Sequence, residues 1–262
     1  MKDLKVAMVQ MRSEIGAAPS NLGKMAGILR AAVAAKADVV CFPEASLTGY
    51  TTEDPSRFAF GLDDYPVREM IAMASSSGSA VSFGLIEAGP YITQVTVSGE
   101  DVSVYRKTHL GGRERKVFLQ GDEIPVLRTG KAVIGVQLCW ESHMPEVSTT
   151  LRNRGAELIL NPHSSWVPTE RRREVWLKYL PARAYDNGVY FCACNALHGG
   201  DSACGGAIVF DRMGDVVAED FGGAESILLA DLKAEPDPGA YPDKMSEAEY
   251  FLRRRPDIYD LH

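Results

Sequence analysis

The chain has 262 residues, 45% of them hydrophobic and 24% charged, with a formal net charge of −7. That size and balance suit a globular protein with a full core, built as one large α/β domain or two small ones, and the acidic excess argues against a nucleic-acid partner. The opening MKDLKVAMVQM lacks an apolar signal region and no apolar run approaches the ~20 residues of a bilayer span, so no export and no membrane partner are expected.

In chain order, Leu4–Gln10 reads as a first strand. Ser20–Lys36 follows as a helix, with Ser20 or Asn21 as its cap and Leu22, Met25, Leu29 and Val33 on one face. Asp38–Phe42 is a short buried strand that stops at Pro43. Ala80–Ile86, Tyr91–Val97 and Val102–Arg106 are strand-like. The apolar run Lys131–Trp140 delivers Cys139 to its carboxyl end. Val147–Arg154 then reads as a helix, and Glu157–Leu160 as a strand ended by Asn161-Pro162-His163. Val189–Asn195, Gly206–Asp211, Val216–Glu219 and Ser226–Asp231 complete the strands. ADVVCFPE and AELILNPH echo each other, each a helix, a strand and a proline-marked exit.

So many strands exceed one ordinary sheet, and a two-sheet sandwich with helices outside fits better. No linker rich in Pro, Gly or Ser separates domains, so residues 1–262 read as one unit. The tail from Ala234, rich in Pro, Asp and Tyr, is expected to lie along a surface or a partner subunit. The cluster Arg171–Arg173 is expected to be a solvated helix face.

In open α/β sheets, chemistry collects beyond the carboxyl ends of the strands. Three such exits carry matched groups: Glu44, Lys107 and Cys139. A thiol needs a base or a cationic neighbour to attack at neutral pH. Glu44, flanked by Phe42-Pro43 and Ala45, would have its pKa raised by desolvation and could serve as base and then acid. Lys107 could face a developing oxyanion. Each has a plainer reading alone: a core thiol, a turn carboxylate, a solvated lysine. Their coincidence at three strand ends favours chemistry. Cys192, Cys194 and Cys204 lack the spacing of a zinc site, so no metal is expected. The glycine pairs match neither a P-loop nor a dinucleotide fingerprint. Five cysteines without an export signal suggest reduced thiols and a cytoplasmic location.

FPEASLTGY, YRKTHL and the strand ending in CWE resemble the three catalytic motifs of the nitrilase, or carbon–nitrogen hydrolase, superfamily, and the resemblance runs from VAMVQM to RRPDIY. It implies a four-layer α-β-β-α sandwich of two mixed sheets with outer helices, no cofactor, and a homodimer or higher homo-oligomer helped by the tail. It implies Glu44 as general base and acid, Lys107 as oxyanion partner with the Trp140 N–H, and Cys139 as nucleophile. HLGGRERKVFLQGDE is similar to the loop that follows the lysine, which gives Glu114, ahead of Phe118 and Gly121, the task of orienting Lys107 and substrate. NPHSSW resembles a pocket-lining segment, so His163, Ser164, Ser165 and Trp166 are candidate substrate contacts, with Trp140, Glu141 and Tyr50; His163 could equally be a structural hydrogen-bonder. Arg183 and Asn187 more readily support the scaffold. The implied reaction is hydrolysis of a small amide or N-carbamoyl compound through a cysteine thioester. The alternative is a nitrile substrate, toward which CWE leans because amidase branches commonly carry Asp where Glu141 stands. A catalytically silent binding protein would have lost one of the three groups, and all are present.

Overall fold

The computed structural model describes residues 1–198, 204–234 and 253–259. The first half runs β1 (Leu4–Gln10), α1 (Ala18–Ala34), β2 (Val39–Cys41), α2 (Val67–Ser76), β3 (Ala80–Glu87), β4 (Tyr91–Ser98) and β5 (Asp101–Arg106). The second runs β6 (Val126–Arg128), β7 (Val133–Val136), α3 (Pro145–Asn153), β8 (Leu158–His163), α4 (Thr169–Trp176), α5 (Leu180–Asn187), β9 (Tyr190–Asn195), β10 (Ala207–Phe210), β11 (Val216–Asp220) and β12 (Ser226–Leu232). One sheet has the order β12-β1-β2-β3-β4-β5 and the other β11-β10-β9-β8-β7-β6. Each is mixed, with three parallel strands at its centre: β1-β2-β3 in one, β7-β8-β9 in the other.

Strand alternation sorts the side chains into layers. Leu4, Val6 and Met8 of β1 meet Tyr190, Cys192 and Cys194 of β9 in the core between the sheets. The intervening Ala7 and Val9 pack under Leu22, Met25 and Leu29 of α1. Phe191 and Ala193 pack under Leu151 of α3, Trp176 of α4 and Leu180 of α5. The result is the α-β-β-α sandwich. Among the described residues, no helix is long and apolar enough to cross a membrane.

Several boundaries differ from the expectations. Helix α1 starts at Ala18 with Pro19 in its first turn, so neither Ser20 nor Asn21 caps it. Asn21 instead turns inward, its Nδ2 donating to the Glu14 and Leu47 carbonyls at 2.8 and 3.0 Å. Strand β8 does not stop at Asn161: it pairs with β9 through His163. Pro162 is tolerated because β7 pairs with β8 only as far as Leu160, so the missing N–H costs no ladder bond on that side. Strand β7 ends at Val136, and Cys139 follows two extended residues later. Most of the tail, 235–252 and 260–262, lies outside the described residues, as do residues 199–203.

Candidate active site

The thiol sits on a forced turn. Cys139 has φ of 42°, a left-handed conformation unusual for a non-glycine residue, and opens a 3-10 turn over Cys139–His143. Glu141 holds that turn closed. One carboxylate oxygen accepts the Leu138 N–H at 2.7 Å. The other accepts the Tyr105 hydroxyl at 2.6 Å, the Thr108 N–H at 2.8 Å, the Thr108 hydroxyl at 2.7 Å and the His109 N–H at 3.0 Å. Burial raises the Glu141 pKa, but the His109 ring, its Nδ1 3.7 Å from the carboxylate, together with the Tyr105, Leu138 and Thr108 donors carries it below the usual carboxylate range. Tyr105, Thr108 and His109 flank Lys107, so a single carboxylate fastens the thiol turn to the lysine loop. Arg183 Nε adds a bond to the Ser142 carbonyl at 3.0 Å, and Asn187 donates to the Arg183 carbonyl at 2.9 Å.

Glu44 leaves β2 on a second left-handed turn, with Ala45 at φ 54°. The turn lies so close to β3 that a Cβ on Gly84 would stand 2.3 Å from the Ala45 nitrogen. Glu44 Oε1 accepts from Lys107 Nζ at 2.8 Å, and Oε2 accepts from the Ser164 N–H at 2.9 Å. Lys107 Nζ also donates to Glu114 Oε1 at 2.8 Å. Glu114 is held in turn by the Tyr50 hydroxyl at 2.8 Å and the Gly111 N–H at 2.6 Å. Gly121 donates to the Lys107 carbonyl, and a Cβ there would lie 2.3 Å from the Arg106 oxygen. Glu44, Lys107 and Glu114 are all buried.

Burial, only partly offset by the Lys107 ammonium, pushes Glu44 up to about 7. Burial would lower Lys107, but the negative charge of Glu44 and Glu114 and the hydrogen bond to Glu114 keep it above its ordinary value, a fixed cation. Burial and the Glu44 charge push the Cys139 thiol up to about 12. The site therefore rests as thiol, carboxylate near its midpoint, and ammonium.

Cys139 opens on a cavity of about 230 Å³, small against the usual range for ligand sites. Trp140, His163 and Ser165, expected as substrate contacts, line it. Glu141, also expected as a contact, does not line it: its oxygens are fully engaged and it is inaccessible. Ser164 serves Glu44 through its backbone, while its hydroxyl meets His198 at 3.2 Å. Tyr50 steadies Glu114, and Trp166, 55% exposed, stacks on His198 with ring centroids 3.9 Å apart, outside the cavity lining. His163 Nε2 lies 2.6 Å from Asn161 Oδ1, and burial drives its pKa well down, leaving a neutral ring.

Sequence reasoning missed His143, Arg172, Trp176 and Tyr179 of the cavity wall. The expected solvated face of Arg171–Arg173 holds only for its outer members. Arg172 is buried, because it shares the inner face of α4 with Thr169 and Trp176 at spacings of three and four. That spacing was the available signal.

The chain belongs to the carbon–nitrogen hydrolase family of the nitrilase superfamily, whose model matches residues 5–236. It is 32% identical over 247 residues to a glutamine-dependent NAD(+) synthetase of Thermotoga maritima, matching 88% of this chain but spanning only 42% of that relative's length. It is 26% identical over 224 residues to an (R)-stereoselective amidase of a Pseudomonas species, covering 82% of this chain and 80% of the relative. The fold is similar to that of the amidase from Nesterenkonia sp. AN1, solved as a mutant with the acetamide moiety of fluoroacetamide on its active-site cysteine: TM-score 0.83, 22% identity, 97% and 95% of the two chains covered.

Proposed function

We propose that this chain hydrolyses a non-peptide C–N bond in a small amide or N-carbamoyl compound through a thioester on Cys139. The observation that carries the reading is the environment of Glu44: a buried carboxylate poised near neutrality, hydrogen-bonded to an ammonium, whose charge acts on the Cys139 thiol that opens on a small cavity. Glu44 accepts the Cys139 proton as sulfur attacks the carbonyl carbon. Lys107 and the Trp140 N–H stabilise the oxyanion. Glu44 then protonates the departing ammonia or amine, and the thioester forms. Water, deprotonated by the same carboxylate, attacks the thioester; the acid leaves and the thiol is restored. Glu114 orients Lys107 throughout. Every step uses a group already within the site, and amidases among the relatives support the choice of amide chemistry.

A nitrile substrate is the second reading. Its sequence cue is Glu141, and that residue is spent on holding two loops together, so it lends nitriles no special support. An ammonia-release screen across aliphatic amides, ω-amides, N-carbamoyl compounds and nitriles tests the choice. Release from amides or N-carbamoyl compounds is expected, with none from a folded Cys139→Ala variant. Release from nitriles alone, or turnover by Cys139→Ala, would overturn the reading.

A further inference from the structure

One cation beside the nucleophile has no counter-ion among the described residues. Arg172 is 3% exposed, and its hydrogen bonds all leave from Nη2: to the Ser165 carbonyl at 2.9 Å, the Ser165 hydroxyl at 2.6 Å and the Val167 carbonyl at 3.3 Å. All three acceptors are neutral. Nε is buried with no partner. The guanidinium lies over the Trp176 ring, 5.1 Å from its centroid. Burial lowers its pKa, and the groups that oppose the shift are Cys139, Tyr179 and Cys204, none of them a carboxylate. Its neighbours behave differently: Arg171 and Arg173, at the surface, pair with Glu174 and Glu219. The carboxylates near the thiol are already committed: Glu44 to Lys107 and the Ser164 N–H, Glu114 to Lys107 and the Gly111 N–H, and Glu141 to the Leu138, Thr108 and His109 N–H groups.

Stripping water from a guanidinium is unfavourable unless an anion replaces it, and the planar fork of arginine is shaped to bind a carboxylate through two donors. Arg172 and Cys139 line the same cavity. The two histidines beside it add no charge, since burial holds both His143 and His163 below the ordinary imidazole range. The remaining wall, formed by Trp140, Val167, Val175 and Tyr179, is largely apolar.

We infer that Arg172 forms the anion end of the substrate site, so that the amide or carbamoyl compound carries a carboxylate seated on Arg172 while its reactive carbonyl faces Cys139. The inference rests on the hydrolytic reading above and narrows it to anionic substrates. The cavity of about 230 Å³ and its apolar wall add that the segment joining the two ends is short and uncharged. Monoamides of short α,ω-dicarboxylic acids and N-carbamoyl amino acids both have this build.

The test compares each of these acids with its methyl ester, which keeps the shape and removes the charge. Ammonia release is measured for the wild type, Arg172→Met and Arg172→Lys. The wild type is expected to favour the free acids by about tenfold or more in kcat/KM, and Arg172→Met to shrink that preference by about 10- to 100-fold, chiefly through KM, the range for a lost charge-assisted pair. Arg172→Lys, which keeps the charge without the fork, should fall between and serves if the methionine variant does not fold. Esters that match the acids in the wild type, or a preference that survives in Arg172→Met, would overturn the inference. Calorimetric titration of the acids into Cys139→Ala separates this question from turnover. Binding that depends on Arg172 supports the anion site even if no amide is hydrolysed. Turnover of esters with no Arg172-dependent binding supports the hydrolase and removes the anion site.

Discussion

In the proposed mechanism Glu44 takes a proton from a thiol and returns it to nitrogen, two tasks that conflict unless its pKa lies near the working pH. Burial brings it to about 7, and the Cys139 thiol at about 12 stays protonated throughout the neutral range. The active form at the start of the reaction is therefore carboxylate plus thiol. As pH falls through about 7, Glu44 protonates and the base is lost, so kcat/KM should rise with pH about tenfold per unit below that point and level off above it. Glu44→Gln should remove this limb and slow turnover by about 100- to 10,000-fold; an unchanged acidic limb in that variant would assign it to another group. Glu141 makes a second residue-level argument. Both its oxygens only accept, so an amide in its place sets an NH₂ against at least one N–H donor. Glu141→Gln should destabilise the fold by about 1–3 kcal/mol and lower kcat more than it raises KM. A drop in kcat without any loss of melting temperature would contradict this structural role.

At the level of elements, the proposed catalytic groups ride on strand exits whose turns are unusually tight. Gly84 sits in the middle of β3 with no turn of its own to make; its lack of a side chain admits the Glu44 turn. Gly84→Ala should therefore cost activity out of proportion to stability, with roughly 1–3 kcal/mol lost in denaturation and kcat reduced at least tenfold. Full activity in that variant would show that the turn can shift freely. Elements also show what could be read from the sequence. The short, largely apolar runs Leu4–Gln10 and Tyr91–Val97 mark strands because one side faces the inter-sheet core and the other the outer helices, so both sides are buried. Strand β6, three residues long, and helix α2, which ends in serines, carry too little pattern to stand out. Pro162 reads as a strand terminator because the rule assumes neighbours on both sides, and β8 has outrun one of them. The three catalytic candidates were legible because their types are rare together at strand ends. The charge on Arg172 hid its place on the inner face of α4, since an arginine in a run of three suggests water.

In the whole molecule the site belongs to neither half alone. Glu44 and Lys107 leave strands of one sheet, while Cys139 and Ser164 follow strands of the other, and Glu44 accepts a hydrogen bond from each side. The inter-sheet core between Met8, Cys41, Leu160 and Cys194 sets their separation. Gln10 adds a polar tie, accepting from Gly206 of the second half and donating to the Asp220 carbonyl. Catalytic geometry is thus a property of how the sheets rest on each other.

Strand β12 gives that arrangement its endurance. It arrives after all the strands of the second sheet yet pairs with β1 along seven residues, Leu4 against Leu232 through Gln10 against Ser226. The chain is in effect buckled: its last described strand is sewn to its first, in the sheet from which Glu44 and Lys107 leave. Parting the sheets requires the buckle to open, so exposure of the inter-sheet core and release of β12 share one barrier. Amide hydrogens of β1 and β12 should exchange as slowly as the slowest in the molecule, with a temperature dependence that follows irreversible loss of activity. Fast exchange in β12 from an enzyme that keeps its activity would mean the buckle is ornamental.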